Sequence, residues 1–203
     1  MLALKKMKRR LLRMKLVIAI NLFLQTINNT AGTKQVDKIN KILAAQSFFN
    51  LPTFVETGTY MATTLIWVQK YFKTSYSIEL NHELAEEAQN HFKNQKNVTV
   101  IEGDSGNSLE QIVSTDTTKK LFWLDAHYSG GITAQSVDFG HTPISKELER
   151  IMSAWVDGSV VLIDDARLFV GKDNYPTIAE LEDYIMNQTK LTLFVDKDII
   201  HIY

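Results

Sequence analysis

Apolar residues along this chain keep two rhythms that alternate. Short apolar runs of strand length fall at residues 54–55, 75–78, 98–101, 121–124 and 160–163. Between them lie longer stretches in which apolar residues recur every three or four positions: 34–48, 60–72, 81–95, 108–113, 143–155 and 176–187. The first rhythm predicts strands and the second predicts helices. In the helix expected over 34–48, Val36, Ile39, Ile42, Leu43 and Phe49 share one stripe. Pro52 ends it and opens the first strand. Asn81 stands where an N-cap is wanted, ahead of Glu83, Glu86 and Glu87, and proline occupies the first position of the helix over 143–155. At the end of the chain, runs at 191–195 and 199–202 flank Asp196, Lys197 and Asp198, as expected of a closing hairpin.

Strand–helix alternation of this kind predicts a parallel sheet covered on both faces. With the terminal hairpin, the expected architecture is an α/β, Rossmann-like, doubly wound and mostly parallel seven-stranded sheet ending in an antiparallel pair. The expected division is an N-terminal segment, 1–33, and one domain, 34–203. A chain of 203 residues is enough for such a domain. Breakers are few, with three prolines and nine glycines, as expected of a compact α/β domain.

The expected strands end in acids: Glu56, Glu79, Asp104 after a short turn, Asp125 and Asp164. One carboxylate after a strand is more often a turn former or cap than a ligand contact. A series of them, all carried to one edge of a parallel sheet, would line a single crevice, where ligands of open α/β sheets bind. The first of these turns, Glu56-Thr57-Gly58-Thr59, leads into the segment holding Tyr60 to Thr63. Its free N–H groups and the following helix start would form an electropositive cradle. Dinucleotide sites want three spaced glycines. Here Gly58 stands alone, and Glu56 would repel a phosphate. A ligand with both a carboxylate and a positive centre fits better, and S-adenosylmethionine has both.

On these residues the chain, over roughly 34–203, resembles the class I S-adenosylmethionine-dependent methyltransferases. Glu56-Thr57-Gly58 resembles their first motif, with Ala62 where a glycine is usual. The resemblance implies cofactor contacts at Glu56, Thr57, Gly58, Thr59, Thr63, Glu79, Asp104, Ser105 and Asp125. Glu79 would accept hydrogen bonds from the ribose hydroxyls, and Asp104 with Ser105 would meet the adenine amino group. The chain is also similar to small metal-dependent O-methyltransferases of the catechol and macrolide-sugar kinds, which implies a magnesium ion held by Asp125, Asp164 and Asp165. Residues 123–131 and 163–169 also resemble a group of bacterial methyltransferase-like proteins.

Methyl transfer needs an aligned, deprotonated acceptor oxygen, and a hard cation on oxygen ligands supplies both effects. Three converging acids without a cation would repel one another, so either a metal binds or a pKa rises. Against this stands the plainer reading that Asp164 or Asp165 caps the turn through Ala166 and Arg167. His127, two residues past Asp125, is the candidate base together with Asp125 as the other catalytic residue. It is equally placed to bind a metal or to orient Asp125. His141 is a weaker candidate. Residues 128–142, polar and glycine-bearing, read as a lid over a polar, sugar-like acceptor, with a plain surface loop as the alternative. Arg167 and Lys172 are expected to pair with Asp173 and Glu180 rather than with substrate. Trp67, Tyr71 and Phe72 read as core.

Charge and composition narrow the partners. The formal net charge of −1 supports no global attraction to nucleic acid, and the absence of cysteine excludes disulfides and thiolate metal sites. Lys5, Lys6, Lys8, Arg9, Arg10, Arg13 and Lys15 precede an apolar run, 16–24, broken by Asn21. That run falls short of the roughly 20 apolar residues needed to span a bilayer. It reads as a helix packed on the domain or lying on a membrane surface, in preference to a secretory signal. A cytoplasmic protein is therefore expected, with membrane contact through this segment; the oligomeric state is open. The leading functional expectation is a methyltransferase acting on the oxygen of a small polar acceptor. The competing one is a catalytically silent nucleoside-binding module, suggested by Ala62 and by the lack of a lysine near Asp125 in the sequence.

Overall fold

The structure, a computed structural model, describes residues 33–126, 142–188 and 190–203. The basic and apolar segment expected over 1–33 therefore lies outside the described residues except for Thr33. Among the described residues no helix is long and apolar enough to cross a membrane.

Helix α1 (Gln35–Phe49) precedes strand β1 (Thr53–Thr57), helix α2 (Thr63–Val68) and strand β2 (Thr74–Glu79). There follow α3 (His82–Phe92), β3 (Val98–Glu102), α4 (Ser105–Thr115) and β4 (Lys120–Leu124). The chain continues through α5 (Ile144–Ser153), β5 (Val160–Ile163), α6 (Ile178–Gln188) and the hairpin β6 (Leu193–Asp196) and β7 (Ile199–Ile202). One seven-stranded sheet results, in the order β3-β2-β1-β4-β5-β7-β6. Strands β1 to β5 pair in parallel, and β7 is antiparallel to both β5 and β6. The doubly wound sheet and terminal hairpin read from the sequence are thus present. The hairpin turns through Lys197 and Asp198, both at positive φ, which is the two-residue turn whose twist matches that of paired strands.

Period-two alternation sorts each central strand between two apolar cores. Phe54, Leu121, Trp123, Val160 and Leu162 face Ile39 and Ile42 of α1 and Leu65 of α2. Val55, Phe122, Leu124, Val161 and Ile163 face Leu109 of α4, Leu148 of α5 and Ile185 of α6. These strands are buried on both sides, as a parallel sheet covered by crossover helices requires.

Three expectations about local structure fail for identifiable reasons. The helix expected over 60–72 is only six residues long and passes into a 3-10 turn, Gln69–Tyr71. Tyr60 and Ala62 adopt left-handed φ, so the helix cannot begin before Thr63, and β-branched Thr63, Thr64, Ile66 and Val68 favour it weakly. Its short dipole makes a poorer anion cradle than a long helix would. Trp67, on the outer face of the short helix, and Tyr71, in the 3-10 turn, are 44% and 50% exposed, whereas Phe72 is core as expected. Val36 likewise points outward, at 57% exposed, while Ile39 and Ile42 are buried.

The α1 stripe supports a stability prediction. Ile42 is fully enclosed and Phe48, six residues on, is 83% exposed. Ile42→Ala should cost about 2–5 kcal/mol in urea denaturation, and Phe48→Ala no more than about 0.5 kcal/mol. Comparable losses would mean that α1 does not cover the sheet by this face.

Candidate active site

Main-chain hydrogen bonds carry the parallel ladder one residue past each strand and bring the strand ends to one edge. Gly58 N–H donates to the Ile78 carbonyl at 2.9 Å, and Gly103 N–H to that of Glu79 at 2.8 Å. On the other side Asp125 N–H donates to Thr57 at 3.1 Å, and Asp164 N–H to Leu124 at 3.0 Å. Glu56, Glu79, Asp104, Asp125 and Asp164 accordingly border a single rim. Gly58 is required there twice over. Its φ is +80°, and a Cβ would stand 2.5 Å from the Asp125 carbonyl oxygen. Ala62, where a glycine is more usual, holds a φ of 56°. The left-handed region costs a non-glycine residue about 1–2 kcal/mol, so the loop carries strain. The buried methyl of Ala62, packed in the α1–α2 core, offsets part of it.

Each acid is held differently. Both Glu79 carboxylate oxygens accept backbone hydrogen bonds, from Tyr60 N–H at 2.7 Å and Asn81 N–H at 2.8 Å. The ribose candidate is thereby tied to the Gly58 loop, and each oxygen retains a second lone pair. Glu56 is turned inward and only 1% exposed. The Ser77 hydroxyl donates to its Oε2 at 2.6 Å and also meets the Thr59 hydroxyl. Burial pushes the Glu56 carboxyl up to about 8, against the Ser77 bond and with the help of Asp125 and Glu79. Asp104 leads into α4, and the hydroxyl of Ser105 donates to Glu147 Oε1 at 2.5 Å. Thr57 is fully buried and Thr63 half-buried at the same rim.

Asp125, Asp164 and Asp165 each offer an oxygen within 4.8 Å of the others. Neither a side-chain cap nor an unrelieved cluster describes them. Asp165, at φ 58°, makes no side-chain cap to the 3-10 turn that follows. Its Oδ1 instead accepts from Arg167 Nη1 at 2.6 Å, and Arg167 also grips Asp198 in the hairpin turn. The surface pairing expected for Arg167 with Asp173 and Glu180 is replaced by these two partners. The lysine that the sequence near Asp125 lacks arrives from α1. Lys38 Nζ contacts Asp164 Oδ2 and lies 3.6 Å from Asp125 Oδ2. Burial alone would depress this ammonium, but Asp125 and Asp164 more than offset that and hold it above the ordinary lysine value. This one ammonium does not offset both the burial of Asp164 and the charge of the partly exposed Asp125 beside it. Burial and the charge of Asp125 therefore push Asp164 upward against the pull of Lys38.

The donor set suits a hard divalent cation, being all carboxylate oxygen, and Asp164 Oδ1 is buried with no hydrogen-bond partner among the described residues. Beside it opens a narrow cleft bordered by Asp125, Thr142, Glu147, Asp164 and Tyr175. Glu147, 1% exposed, was not singled out from the sequence. Burial pushes its carboxyl up to about 7, against the hydrogen bond from Ser105. Tyr175 is pushed up to about 12 by burial. His127, His141 and the lid expected over 128–142 lie outside the described residues except for Thr142.

Several solved structures share this architecture. An O-methyltransferase from Bacillus cereus, in complex with SAH, superposes with a TM-score of 0.63 over 91% of this chain and 88% of its own, at 14% identity. TomG, an O-methyltransferase from Streptomyces achromogenes involved in tomaymycin synthesis and solved with SAM, gives 0.60 over 85% and 80%, at 14% identity. SAH-bound methyltransferase PaMTH1 from Podospora anserina gives 0.61 over 91% and 86%, at 12% identity. The chain has the class I S-adenosylmethionine-dependent methyltransferase fold. At such identities the likeness is one of fold. Neither a family model nor a curated protein matches the sequence.

Within this methyltransferase fold the buried acid Glu56 has a measurable signature. Its folded pKa of about 8 exceeds the ordinary 4.5, so between those values the folded chain holds a proton that the unfolded chain has lost. The stabilisation is complete below the lower value and drains away as pH rises through the upper one. Glu56→Gln should flatten this loss, so its advantage over wild type in urea denaturation grows by a few kcal/mol between about pH 5 and about pH 8. Parallel stability profiles for the two proteins would show that Glu56 is not protonated at neutrality.

Proposed function

We infer that this protein is an S-adenosylmethionine-dependent methyltransferase acting on the oxygen of a small, polar, sugar-like acceptor. The observation that carries the reading is the shared rim: a ribose-type acid, Glu79, tied to the Gly58 loop on one side, and three oxygen-donor acids beside an open cleft on the other. The fold, shared with O-methyltransferases crystallised with SAM or SAH, supports it.

In this reading Glu79 uses its remaining lone pairs to accept from the ribose hydroxyls, while Tyr60 and Asn81 N–H groups keep its carboxylate oriented. Asp104 and Ser105 border the nucleobase end, and Gly58, Thr59 and Thr63 border the amino-acid end. A protonated Glu56 braces the loop through Ser77 and adds no repulsion toward the ligand's carboxylate. Asp125, Asp164 and Asp165 are the residues that would hold magnesium. Bound there, S-adenosylmethionine supplies an activated methyl group, and a divalent cation lowers the acceptor hydroxyl's pKa. The proton goes to His127, with Asp125 adjacent, which is the assignment made from their spacing in the sequence. Thr142, Glu147 and Tyr175 offer hydroxyl and carboxyl groups to a polar acceptor in the cleft.

The silent-module reading loses one of its two supports, because Lys38 brings to Asp125 the cation that its own neighbourhood in sequence lacks. Ala62 remains, and its left-handed conformation reproduces the turn that a glycine would make.

Isothermal titration with S-adenosylhomocysteine tests the cofactor assignment, and turnover of S-adenosylmethionine with hydroxylated acceptors, with and without magnesium, tests the activity. Glu79→Ala should weaken S-adenosylhomocysteine binding by about 2–3 kcal/mol, the cost of losing charge-assisted hydrogen bonds. No heat with wild type would refute the function; equal affinity in the variant would refute the ribose role of Glu79.

A further inference from the structure

Lys38 reaches the acid triad from outside the strand-end motifs. Ile39 and Ile42 anchor its helix on the sheet, and Gln35, one turn before it, donates from Nε2 to the Thr64 hydroxyl at 2.9 Å. With α1 so fixed, the lysine stem runs past Trp123, leaving Nζ 6.0 Å from the indole ring centroid. The ammonium ends on Asp164 Oδ2 and 3.6 Å from Asp125 Oδ2. These are two of the three residues whose oxygens cluster within 4.8 Å. Arg167, a second cation here among the described residues, pairs with Asp165 and with Asp198 of the hairpin turn. Lys38 therefore sits on the oxygens that a divalent ion would need.

We propose that Lys38 is a tethered cation that competes with a divalent metal for Asp125 and Asp164, so that metal enters the triad only as the ammonium withdraws. This rests on the reading of the triad as a metal site. A metal on carboxylate oxygens lies about 2.0–2.6 Å from them, which would bring it and an ammonium on the same oxygen into close repulsion. The lysine has a route out. Its side chain is 15% exposed and flexible, so Nζ can swing toward solvent while the helix stays in place. In the metal-free protein the ammonium neutralises part of the triad's charge. Metal occupancy is then coupled to the position of the Lys38 side chain, and metal affinity is lower than an all-carboxylate triad would otherwise have.

The test is a manganese titration of wild type and Lys38→Gln near neutral pH, read by electron paramagnetic resonance of the free ion. The glutamine keeps a hydrogen-bond donor on a comparable stem and removes the charge. Lys38→Gln should bind manganese about tenfold more tightly or better, and Asp164→Asn in that background should abolish the gain. A second measurement uses wild type alone. Reductive methylation followed by peptide mass spectrometry should show Lys38 modified several-fold faster when manganese is present, with Lys120, buried beside Asp116, unchanged. Equal or weaker manganese binding by Lys38→Gln, or labelling of Lys38 unaffected by saturating manganese, overturns the proposal and leaves the metal site standing. Absence of manganese binding to both proteins removes the metal reading and the proposal together.

Discussion

Like charges crowd one edge of this sheet, and much of the local structure is the set of arrangements that makes the crowding tolerable. Parallel strands deliver their carboxyl ends to the same rim, so acids that are far apart in sequence become neighbours. Each is relieved differently. Glu79 accepts two backbone N–H groups, Glu56 and Glu147 sit in surroundings that favour the proton, Lys38 bridges toward Asp125 and Asp164, and Arg167 takes Asp165. Buried carboxylates left bare would each cost several kcal/mol, enough to erase the stability of an ordinary domain.

The same relief gives the rim its chemical grain. Glu79, held by backbone donors, retains a second lone pair on each oxygen. Acids buried among apolar side chains become neutral hydrogen-bonding groups that brace loops. The acids around Lys38 gather carboxylate oxygens from two strand ends about one ammonium. One type of side chain thus serves three purposes on a single edge, and the difference lies in burial and in what donates to it.

Close approach of the first loop to the fourth strand is the geometric counterpart. Gly58 passes so near the Asp125 carbonyl that a single added carbon would collide with it. That contact draws the two halves of the rim into one small space, with Glu79 on one side and Asp125, Asp164 and Asp165 on the other. Ala62 then turns the chain into α2 at some cost in strain, which a rigid, well-packed α1–α2 core sustains.

The sequence alone determined the sheet, the hairpin and most of the rim. Alternation of short apolar runs with helical stripes is a local pattern, and the topology of parallel sheets converts it into convergence of the strand ends. That is why Glu79, Asp104, Asp125 and Asp164 were legible as neighbours. Tertiary structure decided what neutralises them. Lys38 lies 126 residues from Asp164, and Arg167 lies 31 from Asp198; both pairings depend on how a helix or hairpin docks, which side-chain packing over the whole layer fixes. A faint signal did exist. Lys38 belongs to the stripe of Ile39 and Ile42, and Glu147 to that of Ile144, Leu148 and Ile151, each a charge on a face meant for the core. Only the fold reveals that these faces end at the rim, where a buried charge finds its partner.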